Sequence, residues 1–361
     1  MKRKWILVAA MALAVVMLVS FSLIGCKTTT TTTAAAETTA AAETTAAAGA
    51  ETTAAAKKDY TIAVVPKDST NPWFVHMENG VKKFAKDTGL NVFQKGPAQF
   101  DAVLQVQVIE DLIAQGVDAI CVVPIDPAAV EVVLKKALDK GIVVITHEAS
   151  NQVNTMFDIE AFDNAAYGAF IMDNLAAAMG EEGKYTTMVG ALTSKSHNEW
   201  ADGGVAQQKA KYPNMTLLTA DPRVESHDSA DGAYQVAKEL FKKYPDLKGI
   251  MGTSSYDAPG VAKAIGELGL RGKAFTAGTG MPKDNAQILK DGYVTSLTLW
   301  DSAEAAYAML TLAVKILNGE EIKDGVDLGV KGYNAMKLNG KVLIGNAYIV
   351  ITKDNVDSFD F

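Results

Sequence analysis

The sequence predicts an α/β protein built as two doubly wound, parallel-sheet lobes. From residue 57 onward, short and uniformly apolar runs alternate with longer segments of helical period. Runs of that kind suit strands buried on both faces. They number about ten, more than one doubly wound sheet comfortably holds. The 361 residues likewise suit two domains better than one, and the 48% hydrophobic content can fill their cores.

The elements follow in order. Residues 60–65 form a β-rich run closed by Pro66. Residues 73–88 read as a helix with Phe74, Met77, Val81, Phe84 and Ala85 on one stripe. A short strand over 91–93 precedes a helix over 103–115, which Gly116 closes. Residues 119–123 are a buried strand ending at Pro124. The helix over 127–140 opens on Pro127 and is followed by Gly141, and 142–145 is the next strand. Helix 164–179 precedes strand 185–189, helix 201–211 precedes strand 216–219, and helix 229–243 precedes strand 249–252. Helix 258–268 precedes strand 274–277, helix 283–290 precedes strand 294–299, and helix 302–317 follows. Ligands in such folds bind beyond the carboxyl ends of strands, so the loops there are the places to seek function.

Ahead of this body lies an address. Lys2, Arg3 and Lys4 begin a basic region, and 5–24 is an apolar run interrupted only by Ser20 and Ser22. This pattern describes a secretory signal over 1–25. An uncleaved membrane anchor is the alternative, since the run is nearly long enough to span. Both readings place the body outside the cytoplasm. Residues 26–57 are nearly all Thr, Ala and a few Glu after Cys26 and Lys27, with little to bury, which predicts a disordered linker.

Charge and composition narrow the partners. Net charge is −8, and removing Lys2, Arg3 and Lys4 takes it to −11. An acidic protein of this kind is poorly suited to nucleic acid. Arg3, Arg223 and Arg271 are the only arginines, so the usual bidentate clamp for carboxylate or phosphate is scarce. The four histidines are far apart, and neither HExxH nor CxxC occurs, so no metal is expected. Cys121 lies mid-strand among Ile120, Val122 and Val123 and reads as a buried, inert thiol. No GxSxG elbow, P-loop or GxGxxG after the first strand appears, so neither an enzyme nor a cofactor is expected.

Leu23, Ile24, Gly25 and Cys26 resemble the bacterial lipoprotein cleavage box, which implies that Cys26 is acylated. From 60 to 361 the chain resembles the periplasmic sugar-binding proteins of the ribose-binding type. The resemblance rests on strand 62–65 with Pro66-Lys67, on Asn71-Pro72-Trp73-Phe74, on 116–120, on 141–146, and on Tyr244-Pro245-Asp246-Leu247. Val65-Pro66-Lys67, Lys95-Gly96-Pro97, Leu299-Trp300-Asp301 and the ending 352–361 resemble the subfamily that binds rhamnose or autoinducer-2. The resemblance implies the type I periplasmic binding protein fold. One lobe would span about 58–160 plus 301–330, and the other 161–300 plus about 331–361, joined by a multi-strand hinge.

A sugar needs stacked aromatics and planar hydrogen-bonding groups, with few charges to neutralise. Asn71, Trp73 and Phe74 stand in the loop after the first strand, with core packing at a helix start as the alternative for the rings. By resemblance, Lys67 matches a ligand-contacting lysine of the autoinducer-2 subfamily. His147 and Glu148 follow the strand at 142–146, where the ribose type has Asp-Arg and the autoinducer-2 type an Asp matching Glu148. A carboxylate there can accept from two vicinal hydroxyls, although a structural salt bridge would also fit. Ser196, His197, Asn198 and Trp200 fall in the loop after strand 185–189, where relatives carry Asp-Gln or Arg. Helix capping is the alternative for Ser196 and Asn198. Ser254, Ser255 and Tyr256 follow strand 249–252, where the ribose type has Asn-Asp. Thr279 stands where that type carries Asp, and Trp300 and Asp301 fall near a hinge crossover.

The resemblance implies a monomeric extracytoplasmic lipoprotein, tethered to the cell membrane. It would pass a small neutral sugar-like ligand to the permease of an ABC importer. Candidate ligands are a rhamnose-type deoxysugar, a pentose or autoinducer-2. A sensor subunit presenting ligand to a membrane kinase or chemoreceptor would use the same lobes. A repressor would need a DNA-binding module where this chain has its leader and linker.

Overall fold

The alternation in the sequence builds two sheets in the computed structural model, which describes residues 59–218 and 223–361. The leader, the Cys26 acylation site and the linker through residue 57 lie outside the described residues.

The first sheet begins with β1 (Thr61–Val65), α1 (Pro72–Thr88), β2 (Asn91–Gln94), α2 (Ala102–Gln115), β3 (Ala119–Val122), α3 (Pro127–Asp139), β4 (Val143–His147) and β5 (Phe157–Glu160). The chain then crosses to α4 (Asn164–Met179), β6 (Gly183–Val189), α5 (Lys195–Lys211), β7 (Met215–Leu217), β8 (Val224–Glu225) and α6 (Ala230–Lys243). This second sheet continues through β9 (Leu247–Gly252), α7 (Asp257–Glu267), β10 (Phe275–Thr279), α8 (Pro282–Lys290) and β11 (Leu297–Leu299). Next, α9 (Ser302–Leu317) returns to pack on α1. The end of the chain adds β12 (Lys337–Asn339), β13 (Val342–Ile344) and β14 (Ile349–Ile351).

Strand order is β12-β13-β5-β4-β3-β1-β2 in one sheet and β14-β11-β10-β9-β6-β7 in the other, where β8 also pairs with β6. All pairs are parallel except β12 with β13 and β11 with β14. The expected boundary near 330 therefore moves. Val342, Leu343 and Ile344 pair with Asp158, Ile159 and Glu160, so the last crossing to the second sheet comes after β13.

Alternation along β1 shows why such short strands hold. Ile62 and Val64 face a core shared with α1 and α9, while Ala63 and Val65 face one shared with α2 and α3. Each fully buried Val or Ile contributes about 1.5–3 kcal/mol, so burial on both faces outweighs the few ladder bonds. The core on the α1 and α9 side continues through Phe162, Trp300 and Tyr333 into the second lobe. The first and last crossings also bond to each other: the Gly345 amide donates to the Glu160 carbonyl at 2.8 Å, and Ala347 donates to Ala161 at 2.9 Å.

Two close helix contacts set the walls of the cleft. A Cβ on Gly80 would sit 1.9 Å from the Ala303 carbonyl oxygen, so only glycine lets α9 lie this close to α1. A Cβ on Gly168 would sit 1.9 Å from the Trp200 carbonyl oxygen, which fixes where α5 carries Trp200. Among the described residues, no helix is long and apolar enough to cross a membrane. Cys121 is buried, and burial pushes its thiol up.

Candidate functional site

The carboxyl ends of both sheets converge on one small, closed-down cavity of about 20 Å³. That is room for about one water molecule, so a ligand must part the lobes to enter. Lys67, Asn71, Trp73, Phe74 and Glu148 line it from the first lobe. From the second come His197, Trp200, Asp228, Thr253, Ser255 and Thr279, with Trp300 at the crossover after β11.

The loop after β1 is shaped by its own polar side chains. Asp68 Oδ1 accepts from the amides of Thr70 and Asn71. Asn71 Oδ1 caps α1 by accepting from the Trp73 amide at 2.9 Å, and Pro72 sits at the first turn. The cap holds Trp73 at the cavity, where its ring meets Trp300 edge-on at 4.5 Å. Trp200 also meets Trp300 edge-on, at 5.4 Å, and its own N–H donates to Asn164 Oδ1. Three indoles thus form an aromatic wall. The Trp73 N–H is buried with no partner, which leaves a donor for a ligand.

An ion pair lies opposite. Lys67 Nζ donates to Glu148 Oε2 at 2.7 Å, and Ser196 Oγ donates to the same oxygen at 2.9 Å from the second lobe. Burial alone would raise the Glu148 carboxyl. Lys67, helped by the two neighbouring histidines, outweighs burial and holds it down at about 2. Glu148 Oε1 faces His147 Nε2 at 4.0 Å, too long for a hydrogen bond, and so keeps acceptor capacity.

Hydrogen bonds assign both histidine tautomers. The Gly190 amide donates to His197 Nδ1 at 3.2 Å, so the proton sits on Nε2. Burial and the Lys67 charge push His197 down to about 3 against the pull of Glu148, which keeps the ring neutral. His147 is the mirror case. Its Nδ1 reaches the Ile159 carbonyl at 2.6 Å and its Nε2 accepts from Trp300 Nε1 at 3.2 Å, so Nδ1 carries the proton.

The second lobe adds a buried carboxyl. Asp228 Oδ1 accepts from Ser254 Oγ, and burial pushes its pKa up, against the opposing pull of Lys67. Asp257 lies behind and accepts from the Thr253 and Ser254 amides and from Ser226 Oγ, holding the loop after β9. Burial raises Asp257 to about 7 despite those bonds. Glu148 at φ 61° and Asp228 at φ 47° are both left-handed, a costly backbone for residues other than glycine. Backbone strain of this kind concentrates at ligand sites.

The cavity therefore presents an internally neutralised ion pair, free donors, free acceptors and aromatic faces. Arg223 bonds Asn198 and Asp202, and Arg271 bonds the Asp291 carbonyl, so neither reaches the cavity. Among the described residues, no group of His, Cys, Asp and Glu could hold a metal ion.

The remaining sequence candidates sit elsewhere. Helix α5 starts at Lys195, not 201, so Ser196, His197 and Asn198 form its first turn and not a loop. Ser196 supports Glu148 from behind, while Asn198 turns outward to the Leu192 and Ser194 carbonyls. His147 ends β4 and backs Trp300. Ser254 backs Asp228, and Tyr256 lines the mouth of the cleft. Asp301 lies outside the cavity, capping α9 through the Ala303 and Glu304 amides and pairing with His76 at 2.9 Å. Sequence reasoning missed Thr253, the first residue beyond β9, and Asp228, which follows the two-residue β8.

Comparison with known proteins fits this architecture. A periplasmic binding protein domain family model matches residues 62–321. The ribose import binding protein RbsB of Bacillus subtilis is 27% identical over 278 residues, covering 76% of this chain and 87% of its own length. The D-allose-binding periplasmic protein of Escherichia coli is 26% identical over 268 residues, covering 70% of this chain and 83% of its own. LsrB from Clostridium saccharobutylicum, solved in complex with AI-2, superposes with a TM-score of 0.76 at 25% identity, over 83% of this chain and 100% of that one. A solute-binding protein from Burkholderia graminis in complex with D-arabinose gives 0.72 at 27% identity, over 84% and 98%. The first of these is named an import binding protein and the last an ABC transporter solute-binding protein. The chain belongs to the periplasmic binding protein family.

Proposed function

We propose that this chain captures a small neutral sugar-like ligand outside the cytoplasm and delivers it to the permease of an ABC importer. The observation that carries the ligand class is the cavity's charge balance. Lys67 is spent on Glu148, both arginines of the body are engaged elsewhere, and among the described residues that line the cavity no cation is left over for a carboxylate or phosphate. What remains suits hydroxyls: the Trp73 and His197 N–H groups donate, the free oxygens of Glu148 and Asp228 accept, and indole rings cover the apolar face of a ring.

A rhamnose-type deoxysugar, a pentose and autoinducer-2 all suit these donors and acceptors, and solved structures holding such ligands share the fold. Closure of the lobes is the working step, with the three crossings as hinge. The protein acts as a monomer, acylated at Cys26 and tethered through its Thr/Ala linker within reach of the permease.

A thermal-shift panel tests this. Neutral pentoses, deoxyhexoses or autoinducer-2 should raise the melting temperature of the purified protein. A shift with amino acids or sugar phosphates and none with neutral sugars would overturn the ligand class.

A further inference from the structure

The cavity does not end at its own wall. Asp228 also lines a second space of about 270 Å³ on the mouth side of the cleft. Asn71 and Ser255 are likewise shared with a third space of about 190 Å³, and Tyr256 lines both outer spaces. The result is one continuous seam between the lobes. The first lobe supplies Asp68, Thr70 and Phe100 to the second space, and the second lobe supplies His227, Ser229 and Tyr256.

The makeup of this outer space repeats that of the inner one. Two half-buried rings, Phe100 and Tyr256, stand with two carboxylates and two hydroxyls, and neither arginine of the body lines it. Asp228 is the joint between them. Its Oδ1 is taken by Ser254, while its Oδ2 has no protein donor among the described residues. The backbone is held left-handed to place that carboxyl on the common wall. The Asp68 side of the seam is also fixed, because Asp68 Oδ1 accepts from the Thr70 amide, the Thr70 hydroxyl and the Asn71 amide.

The inner cavity is closed down around its polar groups, whereas the outer space carries matching chemistry and shares the Asp228 wall with it. We propose that this protein takes an extended ligand, a disaccharide or glycoside, with one ring in the inner cavity and its substituent in the outer space lined by Phe100 and Tyr256. The proposal rests on the sugar reading above and specifies it further.

Calorimetric titration of the purified protein tests it with a panel of neutral monosaccharides (D-ribose, L-rhamnose, D-arabinose and D-xylose) and of disaccharides and methyl glycosides built on the same rings. At least one extended ligand should bind about tenfold tighter than its parent monosaccharide, the scale of one added aromatic contact. Phe100→Ala should remove that gain and leave monosaccharide affinity within about twofold, while Phe100→Tyr should keep it. Extended ligands binding no tighter than their parents, or a Phe100→Ala variant that retains the gain, would overturn the second subsite but leave the sugar reading standing. No binding by either class would overturn both.

Discussion

Lys67 and Glu148, on the loops after the first and fourth strands, form a 2.7 Å ion pair in which neither side chain is more than 4% exposed. Removing one partner strands a buried charge, which typically costs about 3–5 kcal/mol. Glu148→Leu should therefore lower unfolding free energy on that scale in denaturant melts. The double variant Lys67→Met/Glu148→Leu should recover most of the stability and still fail to bind ligand. Full binding by the double variant would mean the pair is only structural.

Trp73 separates packing from recognition. Its ring is buried in the shared core, but its N–H has no protein partner. Trp73→Ala would remove both and destabilise by about 3–5 kcal/mol. Trp73→Phe keeps a ring and deletes the donor. It should leave the melting temperature of the ligand-free protein unchanged or raised, and weaken ligand binding about tenfold, the scale of a hydrogen bond lost from a buried site.

Acid should destabilise the fold through His197. Its folded pKa of about 3 lies below the ordinary 6.5. The unfolded chain therefore binds a proton more readily between these values, so stability is complete above 6.5 and falls as pH drops toward 3. Glu148, held at about 2 against an ordinary 4.5, adds a loss over the lower window, from 4.5 down to 2. Asp257 runs the other way: raised to about 7 from 3.8, it favours the fold below 3.8 and loses that contribution as pH rises to 7. Denaturant melts from pH 4 to pH 7 should show a shallower acid slope in His197→Gln than in the parent.

Lobe closure has its own bonds. Ser150 Oγ, on the first lobe, donates to Glu199 on α5 at 3.0 Å, outside the ligand cavity. Ser150→Ala should shift the population toward the open form and weaken ligand binding about threefold, with little change in stability. Small-angle scattering of the ligand-free variant, showing a larger radius of gyration than the parent, would separate this from a local effect.

The alternation of apolar strands and amphipathic helices was readable because each strand buries both faces. What escaped was polar where it should have been apolar. β5 carries Asp158 and Glu160, 1% and 3% exposed, and acids in a strand do not read as core. Both are raised by burial and sit as close neighbours, with Thr146 donating to Asp158 at 2.8 Å. The first turns of α5 read as a loop because Lys195, Ser196, His197 and Asn198 show no apolar stripe; they face the cleft and solvent instead. β12 and β13 are three residues each, too short for periodicity, and so the last crossing was placed too early. The loops after strands pointed to most of the cavity wall because topology alone brings strand ends together. Asp228 lay beyond that rule, behind a two-residue strand.

Three of the chain's four tryptophans, Trp73, Trp200 and Trp300, line the cavity, and the fourth, Trp5, lies outside the described residues. Intrinsic fluorescence of protein lacking residues 1–25 is thus a direct report from the site. Titration with neutral pentoses, deoxyhexoses and autoinducer-2 should give a saturable change in emission with at least one of them, lost in Glu148→Leu. Emission that stays flat across every neutral sugar yet responds to an amino acid or a sugar phosphate would contradict the account.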